Sequence, residues 1–219
     1  MVKIKVMKAI SERNDEVARE IRKYLGEKGI KAVNLISSPG SGKTTLIEKT
    51  IEHFSGLVNV GVIVGDLFTS LDAERMERAG ARAFQLDTEG SCHLTAPMIM
   101  SALADFDVSG IDLLFIENVG NLICPSSWDV GETARVTLLS VTEGSDKVVK
   151  YRTAFYCTDA VVITKLDLLR SCDFDVDKVV TDVKKLNPTA QVFKLSAKTG
   201  EGMEDWFAFL EGLATRSRT

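Results

Sequence analysis

Short apolar runs alternate with longer segments of helical spacing along most of the chain. The first run, 32–36, precedes a loop rich in Gly and Ser, and segment 44–54 then carries apolar residues at helical intervals. Further apolar runs are found at 59–64, 83–86, 113–116, 136–141, 160–163 and 192–195. Runs of this length, bounded by turns, are typical of buried parallel strands. The alternation predicts an α/β fold with a doubly wound, mostly parallel sheet flanked by helices.

One helix is predicted ahead of the first strand. Val17, Ile21 and Leu25 fall on one stripe of segment 12–28, and Ser11 is placed to cap its first turn. A chain of 219 residues can bury one large core, and no break in composition divides it. We therefore expect a single domain over residues 1–219, with residues 1–30 as an N-terminal extension whose helix packs on it.

Composition narrows the class of protein. Residues 1–10 alternate lysine with apolar residues rather than forming a signal peptide, and no apolar stretch has membrane-spanning length. A net charge of −4 gives no general attraction to nucleic-acid phosphates. Four cysteines without a regular framework fit a reducing compartment. We expect a cytoplasmic protein whose partners include neither a membrane nor a nucleic acid.

The loop after the first run predicts a nucleotide site. It reads Ser37-Ser38-Pro39-Gly40-Ser41-Gly42-Lys43-Thr44-Thr45, and it differs from the phosphate-loop pattern only in having Ser37 where the first Gly is usual. In such a loop the backbone N–H groups from Gly40 to Thr45, including those of Ser41 and Gly42, point at the β-phosphate. Lys43 reaches the β- and γ-phosphate oxygens, and the Thr44 hydroxyl ligates Mg²⁺. The predicted fold is therefore that of a P-loop NTPase.

Two acidic residues at predicted strand ends complete the phosphate site. Asp66 closely follows the run at 59–64, and Glu117 follows the run at 113–116. A carboxylate at a strand end can hold Mg²⁺ or orient an attacking water, so we assign catalytic roles to Lys43, Asp66 and Glu117, with Glu117 as the preferred metal partner. Gly120 then allows a backbone N–H to approach the γ-phosphate.

A second group of polar residues suits a guanine base. Thr164, Lys165 and Asp167 follow the run at 160–163, and Ser196-Ala197-Lys198 follows the run at 192–195. The Asp167 carboxylate can accept hydrogen bonds from the ring N–H and the amino group of guanine, which adenine does not present in that arrangement. Thr164 occupies the position of Asn in the usual Asn-Lys-x-Asp motif. The chain resembles a GTPase here, whereas a small-molecule kinase would share the phosphate loop but not Asp167.

Cys92, His93 and Cys124 form a candidate site for a transition metal. Two thiolates and an imidazole suit Ni²⁺ or Zn²⁺. Because adjacent residues point apart on a strand, Cys92 and His93 can share an ion only in a turn, at a helix start or across a dimer interface. Spacing alone favours this metal site no more than the alternative, in which Cys92 and Cys124 are small buried residues and His93 lies at the surface. Cys157 and Cys172 have no such partners nearby, and we interpret them as packing residues.

Five blocks of the sequence together resemble the family of hydrogenase nickel-incorporation GTPases, HypB. They are 34–45, 65–75, 90–94, 116–125 and 141–144. The resemblance implies a slow GTPase that cycles between GTP and GDP with Mg²⁺, forms a homodimer, and helps to deliver Ni²⁺ to the precursor of the [NiFe]-hydrogenase large subunit beside a small HypA-like partner. Carried over position by position, it implies metal binding at Cys92, His93 and Cys124, phosphate and Mg²⁺ binding at Lys43, Thr44, Asp66 and Glu117, and guanine binding at Asp167.

Two alternatives to this function stay open. The urease nickel GTPases share a similar core, but their metal site resembles Cys-Pro-His rather than a separated Cys-His and Cys. A non-enzymatic metal scaffold would keep every binding residue without turnover. If the chain is a GTPase, contacts of the γ-phosphate with 117–120 should move Cys124 relative to Cys92 and His93, so nucleotide state would set metal affinity.

Overall fold

The computed structural model describes residues 2–66, 71–88 and 90–215, with side chains from 8–65, 71–88 and 90–214. Seven parallel strands form one sheet in these residues, in the order β3-β2-β4-β1-β5-β6-β7. The strands are β1 (Lys31–Ser37), β2 (Val60–Asp66), β3 (Arg82–Asp87), β4 (Leu113–Glu117), β5 (Ala134–Ser140), β6 (Ala160–Thr164) and β7 (Gln191–Lys194). The predicted α/β class and parallel sheet are confirmed.

Helices cover both faces of this sheet. They are α1 (Val2–Glu27), α2 (Lys43–Phe54), α3 (Leu71–Ala79), α4 (Ala96–Asp105), α5 (Lys147–Lys150), α6 (Arg152–Tyr156), α7 (Val176–Leu186) and α8 (Met203–Thr215). Among the described residues, no helix has both the length and the apolar character needed to cross a membrane.

Alternate residues of each strand supply the two core faces. Val33 and Leu35 of β1 pack in an apolar cluster with α2, α3 and α8, whereas Ala32 packs with α1 and α4 on the opposite face. Ile36 joins a third cluster with α5, α6 and α7 on that same opposite face. Because both faces are buried, the strands have continuous apolar runs rather than alternating ones.

The N-terminal helix is longer than predicted. Val17, Ile21 and Leu25 do pack into the core beside α4. The predicted cap was wrong, because α1 begins at Val2 and Ser11 lies inside the helix. Lys8 and Ala9 have high helix propensity, so the helix extends past the last residue that the core fixes. Residues 8–10 are accordingly exposed.

Candidate nucleotide and metal sites

The phosphate loop turns between β1 and α2 at the centre of the sheet. Gly40 and Gly42 have φ angles of 72° and 98°, a left-handed conformation that side chains with a Cβ rarely adopt. Helix α2 begins directly at Lys43, so its unpaired N–H groups face the loop. The backbone therefore has the positive concave form that binds phosphates.

Lys43 is held at the base of this loop. Its side chain is buried, and its Nζ donates to Ser37 Oγ at 3.0 Å. The Ser37 hydroxyl in turn donates to the Ser38 carbonyl at 2.7 Å. Ser37, the departure from the usual pattern, thus gives the lysine a partner at the end of β1.

Glu117 faces the start of α2 from the neighbouring strand. Its Oε1 accepts a hydrogen bond of 2.7 Å from Thr44 Oγ1, while its Oε2 is buried without a hydrogen-bond partner. Burial raises the pKa of Glu117 to about 7, against the opposing charge of Lys43. A divalent cation fits this pair, because a hydroxyl and a carboxylate are the hard oxygen ligands that Mg²⁺ prefers, and its charge would keep the carboxylate ionised.

Asp66 and Gly120 are the other two residues assigned to the γ-phosphate side. Asp66 ends β2, in register with Asp87 of β3, but its side chain lies outside the described residues. Gly120 lies directly against the phosphate loop, because a Cβ at this position would be 3.0 Å from Pro39 Cα. The loop that follows Glu117 therefore touches the loop that would hold the phosphates.

The residues assigned to the base line one pocket of about 500 Å³ beside α2. Ser196 Oγ donates to Asp167 Oδ1 at 2.6 Å and orients the carboxylate. Thr164 Oγ1 donates to the Ser41 carbonyl at 2.7 Å, so this residue braces the phosphate loop where Asn is usual. Lys165 Nζ donates to the Gly40 carbonyl at 2.6 Å. The pocket lining also includes Gly42, Thr45, Ala197 and Lys198.

One brace of the phosphate loop was not predicted. Glu143 Oε1 accepts hydrogen bonds from Ser41 Oγ at 2.6 Å and from the Ser140 N–H at 2.9 Å. Ser140 and Glu143 form a capping box at the end of β5. The spacing of Ser and Glu three residues apart is the signal for that box, but the contact with Ser41 joins residues 102 positions apart and leaves no local trace.

The three candidate metal ligands converge within one chain. One ligand atom from each of Cys92, His93 and Cys124 lies within 4.8 Å of the others, and Cys92 Sγ is 3.6 Å from His93 Nδ1. Cys92 and His93 lie in an irregular bend before α4, which allows neighbouring side chains to point the same way. Their adjacency in the sequence therefore does not prevent both side chains from binding one ion.

Two neighbouring side chains support this cluster. The His93 ring stacks on Trp128 with centroids 5.0 Å apart, and its Nε2 is buried without a hydrogen-bond partner. Asn121 bridges the two ligand-bearing segments, since its Nδ2 donates to the Cys92 carbonyl at 3.3 Å and its Oδ1 accepts from the Ile123 N–H at 2.9 Å.

The surroundings of Cys92 and His93 shift the pKa values of both side chains. The adjacent Cys124 raises the pKa of the Cys92 thiol, and burial lowers the pKa of His93. A bound cation reverses the first effect, because it favours the thiolate. The neutral imidazole is already the form that binds metals.

Only one of the two remaining cysteines agrees with the interpretation of both as packing residues. Cys172 is half-buried and packs against the cluster around α7, as expected. Cys157 is exposed, because it follows the end of α6 just before β6. Neither residue contributes to a metal-ligand cluster among the described residues.

The fold and the phosphate loop define a P-loop NTPase. The loop lies at the carboxyl end of a central parallel strand, and the base pocket lies at the ends of β6 and β7. The chain belongs to the CobW/HypB/UreG family, whose nucleotide-binding domain matches residues 31–194. The resemblance to HypB is thereby confirmed.

Individual relatives agree with this assignment. The hydrogenase maturation factor HypB of Rhizobium leguminosarum is 44% identical over 213 residues, which are 97% of this chain and 71% of that protein. The hydrogenase/urease maturation factor HypB of Helicobacter pylori is 42% identical, over 94% of this chain and 86% of the relative. The crystal structure of Helicobacter pylori HypB in complex with nickel superposes with a TM-score of 0.89 at 40% identity, covering 93% of this chain and 96% of that one.

Proposed function

We propose that this protein is a GTP-hydrolysing nickel metallochaperone that assists Ni²⁺ insertion into the large-subunit precursor of [NiFe]-hydrogenase. The observation that carries the proposal is the convergence of Cys92, His93 and Cys124 within 4.8 Å, in segments that adjoin the strand end of Glu117. The relatives named as hydrogenase maturation factors support the client, and the nickel complex of a relative supports the cargo.

Hydrolysis is assigned to the residues around the phosphate loop. Lys43 exchanges its contact with Ser37 for phosphate oxygens, and Thr44 and Glu117 would hold Mg²⁺, which would supply positive charge beside the phosphates. Glu117 and Asp66 are also placed at strand ends from which a carboxylate can orient the attacking water. Without an arginine supplied by a partner, such hydrolysis can be as slow as ~10⁻⁴ s⁻¹.

Guanine selectivity is assigned to Asp167. Its carboxylate is held by Ser196 on one oxygen and lines the pocket, so a base with two adjacent donors satisfies it and adenine does not. The Ala197 N–H donates to O6 of the base in this proposal. Thr164 and Lys165 hold the phosphate loop against the base pocket.

The metal is proposed to be cargo rather than a fixed cofactor. Three ligands from one chain leave a coordination position open for transfer, and thiolates with imidazole bind Ni²⁺ and Zn²⁺ alike. We further propose a homodimer, a HypA-like partner that exchanges nickel, and a cytoplasmic location. Urease is a second candidate client, because one relative of this length is named a hydrogenase/urease factor.

Metal titration tests the cargo assignment. Ni²⁺ and Zn²⁺ affinity and stoichiometry are measured for the parent, Cys92→Ala and Cys124→Ala, with Cys157→Ala as the matched control because this exposed cysteine is outside the cluster. Loss of affinity in the first two variants alone supports the site. Unchanged affinity in both would reduce the cysteines to structural residues and remove the nickel assignment.

Single-turnover assays separate an enzyme from a scaffold. Phosphate release from GTP is followed with protein in excess, alone and with the partner protein added. No turnover in either condition would support the non-enzymatic alternative.

The metal titration also tests the dimer. A ratio of one ion to two chains would place the cluster between subunits and link metal binding to the dimer.

A further inference from the structure

The side chain of Asn118 joins the nucleotide side of β4 to the metal-binding bend. Asn118 directly follows Glu117 and is almost fully buried. Its Oδ1 accepts hydrogen bonds from the Leu94 N–H at 3.1 Å and from the Val119 N–H at 3.0 Å. Because Leu94 follows His93 in the chain, a displacement of Asn118 is transmitted to the backbone of the bend.

The other end of the same amide leads to the segment that carries Cys124. Asn118 Nδ2 donates to Asn34 Oδ1 at 3.2 Å, and Asn34 Nδ2 donates to Glu132 Oε1 at 3.3 Å. Glu132 forms an ion pair of 2.6 Å with Arg135. The Arg135 guanidinium then donates to the carbonyls of Ser126 at 3.0 Å and Trp128 at 2.8 Å.

These contacts form a continuous buried network, which we call the Asn34 network: Asn118, Asn34, Glu132 and Arg135. The Asn34 side chain has no exposed surface. It lies between Ala32 and Ile36, the two apolar residues on the same face of β1. A buried amide carries a desolvation cost of about 1–3 kcal/mol if its partners are removed, so an apolar residue would be the simpler choice in a central strand. A polar residue here indicates a role that packing does not supply.

The two arms of the network end on both sides of the metal cluster. One arm ends beside His93, and the other ends two residues after Cys124 and at Trp128, whose ring stacks on His93. The shared origin is the residue next to Glu117, whose carboxylate contacts Thr44. A change at the γ-phosphate side would therefore reach both segments that carry the metal ligands through one amide.

We infer that Asn118 and Asn34 are positioning residues that make nickel affinity depend on the nucleotide bound. The inference rests on the proposed function and adds the physical link through which the two sites interact. The coupling is reciprocal, so nickel changes the relative affinity for GTP analogue and GDP by the same factor. Neither residue needs to touch the metal or the nucleotide.

Nickel titration in two nucleotide states tests this inference. The thiolate-to-nickel charge-transfer absorption is followed in the presence of GDP or a non-hydrolysable GTP analogue, for the parent and Asn34→Leu. We expect the two nickel affinities of the parent to differ by at least ~5-fold, the lower end of typical allosteric coupling. In Asn34→Leu the ratio should fall to about one, while affinity in the GDP state changes less than threefold, on the order of 0.6 kcal/mol.

A matched control separates coupling from general loosening of the sheet. Thr137 is buried on the adjacent strand β5, and its Oγ1 donates to the Ala154 carbonyl at 2.8 Å, a hydrogen bond that does not belong to the Asn34 network. Thr137→Val removes a buried hydrogen bond of the same kind and should keep the parent ratio. If Asn34→Leu does not fold, Asn118→Asp is the second test. This variant keeps the acceptor for the Leu94 N–H and loses the donor to Asn34. It should lower the ratio of the two nickel affinities.

The outcomes distinguish this inference from the proposed function. A ratio of the two nickel affinities near one in the parent overturns the inference. A parent-like ratio in Asn34→Leu overturns it too, and Asn118→Asp takes the place of that variant if it does not fold. Both results leave nickel binding by Cys92 and Cys124 intact. Equal loss of the ratio in Thr137→Val also overturns it, because the effect would then be unspecific. Nickel affinity unchanged in Cys92→Ala overturns the proposed function instead.

Discussion

The phosphate loop and the Cys-His-Cys cluster are built in different ways. Every side chain described above as bracing the phosphate loop acts from the carboxyl end of a strand or the start of a helix, and the loop itself joins one strand to one helix. The metal ligands instead lie in two irregular segments, joined to each other by Asn121 and to the sheet by the Asn34 network. Side chains at the ends of regular elements thus hold the nucleotide side, whereas the metal ligands lie in irregular segments that a few side-chain hydrogen bonds connect to the sheet.

This difference indicates which site can change shape. A strand end moves only with its sheet, but a bend fixed by a few amide contacts can shift when one of them is lost. The nucleotide site is therefore expected to impose a state, and the metal site to respond to it. Four variants test the comparison, in order of expected effect.

The largest effect is expected for Lys43→Gln. The neutral amide cannot stabilise charge that develops on the β- and γ-phosphates, so the single-turnover rate should fall about 10³-fold. Phosphate release is measured with GTP saturating. Lys23→Gln, on the exposed face of α1, is the charge-matched control. Nickel affinity in the GDP state should stay at the parent value, and a parallel loss would contradict separate sites.

Glu117→Gln should change how stability depends on pH. Since the folded-state pKa of Glu117 is raised from 4.5 to about 7, the folded protein binds more protons than the unfolded chain between these values. Relative to Glu117→Gln, the parent therefore loses about 3 kcal/mol of stability as pH rises through this window, and this difference excludes the opposite contribution of His93, whose pKa is lowered. Denaturant unfolding without nucleotide at pH 5 to 8 measures the difference.

The control for this pH dependence is Glu20→Gln, an exposed acid on α1. It should follow the parent curve. Adding Mg²⁺ and GDP should reduce the loss in the parent, because a cation beside the carboxylate favours its charged form. A difference between the parent and Glu117→Gln that does not change over this range would show that Glu117 is not buried as described.

Asp167→Asn should change the preferred base. The Asn amide offers one acceptor where guanine presents two donors, so GTP affinity should fall about 10²-fold. Xanthosine triphosphate should gain affinity, since its O2 accepts from the new amide N–H. Competition binding against a fluorescent GDP analogue measures both, with the exposed Asp173→Asn as control. Equal loss for both nucleotides would remove Asp167 from the base contact.

Asn121→Ala should give the smallest effect and the sharpest contrast. It removes the bridge between the Cys92 carbonyl and the Ile123 N–H, so nickel affinity should fall about 10-fold, as is typical of residues that orient metal ligands. The fall should be the same with GDP and with GTP analogue, unlike that of Asn34→Leu. Ser127→Ala, an exposed residue of the same loop, serves as control.

Much of the sheet could be predicted because each strand contains a short run dominated by apolar residues. Strand bounds differ from the predicted runs by one or two residues, as with Val60–Asp66 against 59–64. The start of α1 could not be predicted, because residues 8–10 are exposed and so carry no apolar stripe that would continue the helical pattern. Local pattern thus specifies buried elements better than exposed ends.

The same distinction applies to the sites. The phosphate loop is one short segment, and its neighbours in sequence are its neighbours in space. The approach of Cys92 to Cys124 depends on the bend before α4 and on contacts across the sheet, so spacing alone left it open. Asn34 looked like an ordinary strand residue, and Glu143 like an ordinary helix cap, because their partners are about 100 residues away.

The braces of the phosphate loop also bear on nucleotide exchange. Ser41 is held by Glu143, the Gly40 carbonyl by Lys165 and the Ser41 carbonyl by Thr164, so the protein's own side chains fix the shape of the loop. A loop fixed in this way is not expected to need a helper protein that holds it open between GDP release and GTP entry. We therefore expect spontaneous exchange, timed by a fluorescent GDP analogue, so that the supply of GTP in the cell, rather than a dedicated exchange factor, sets the pace of the cycle.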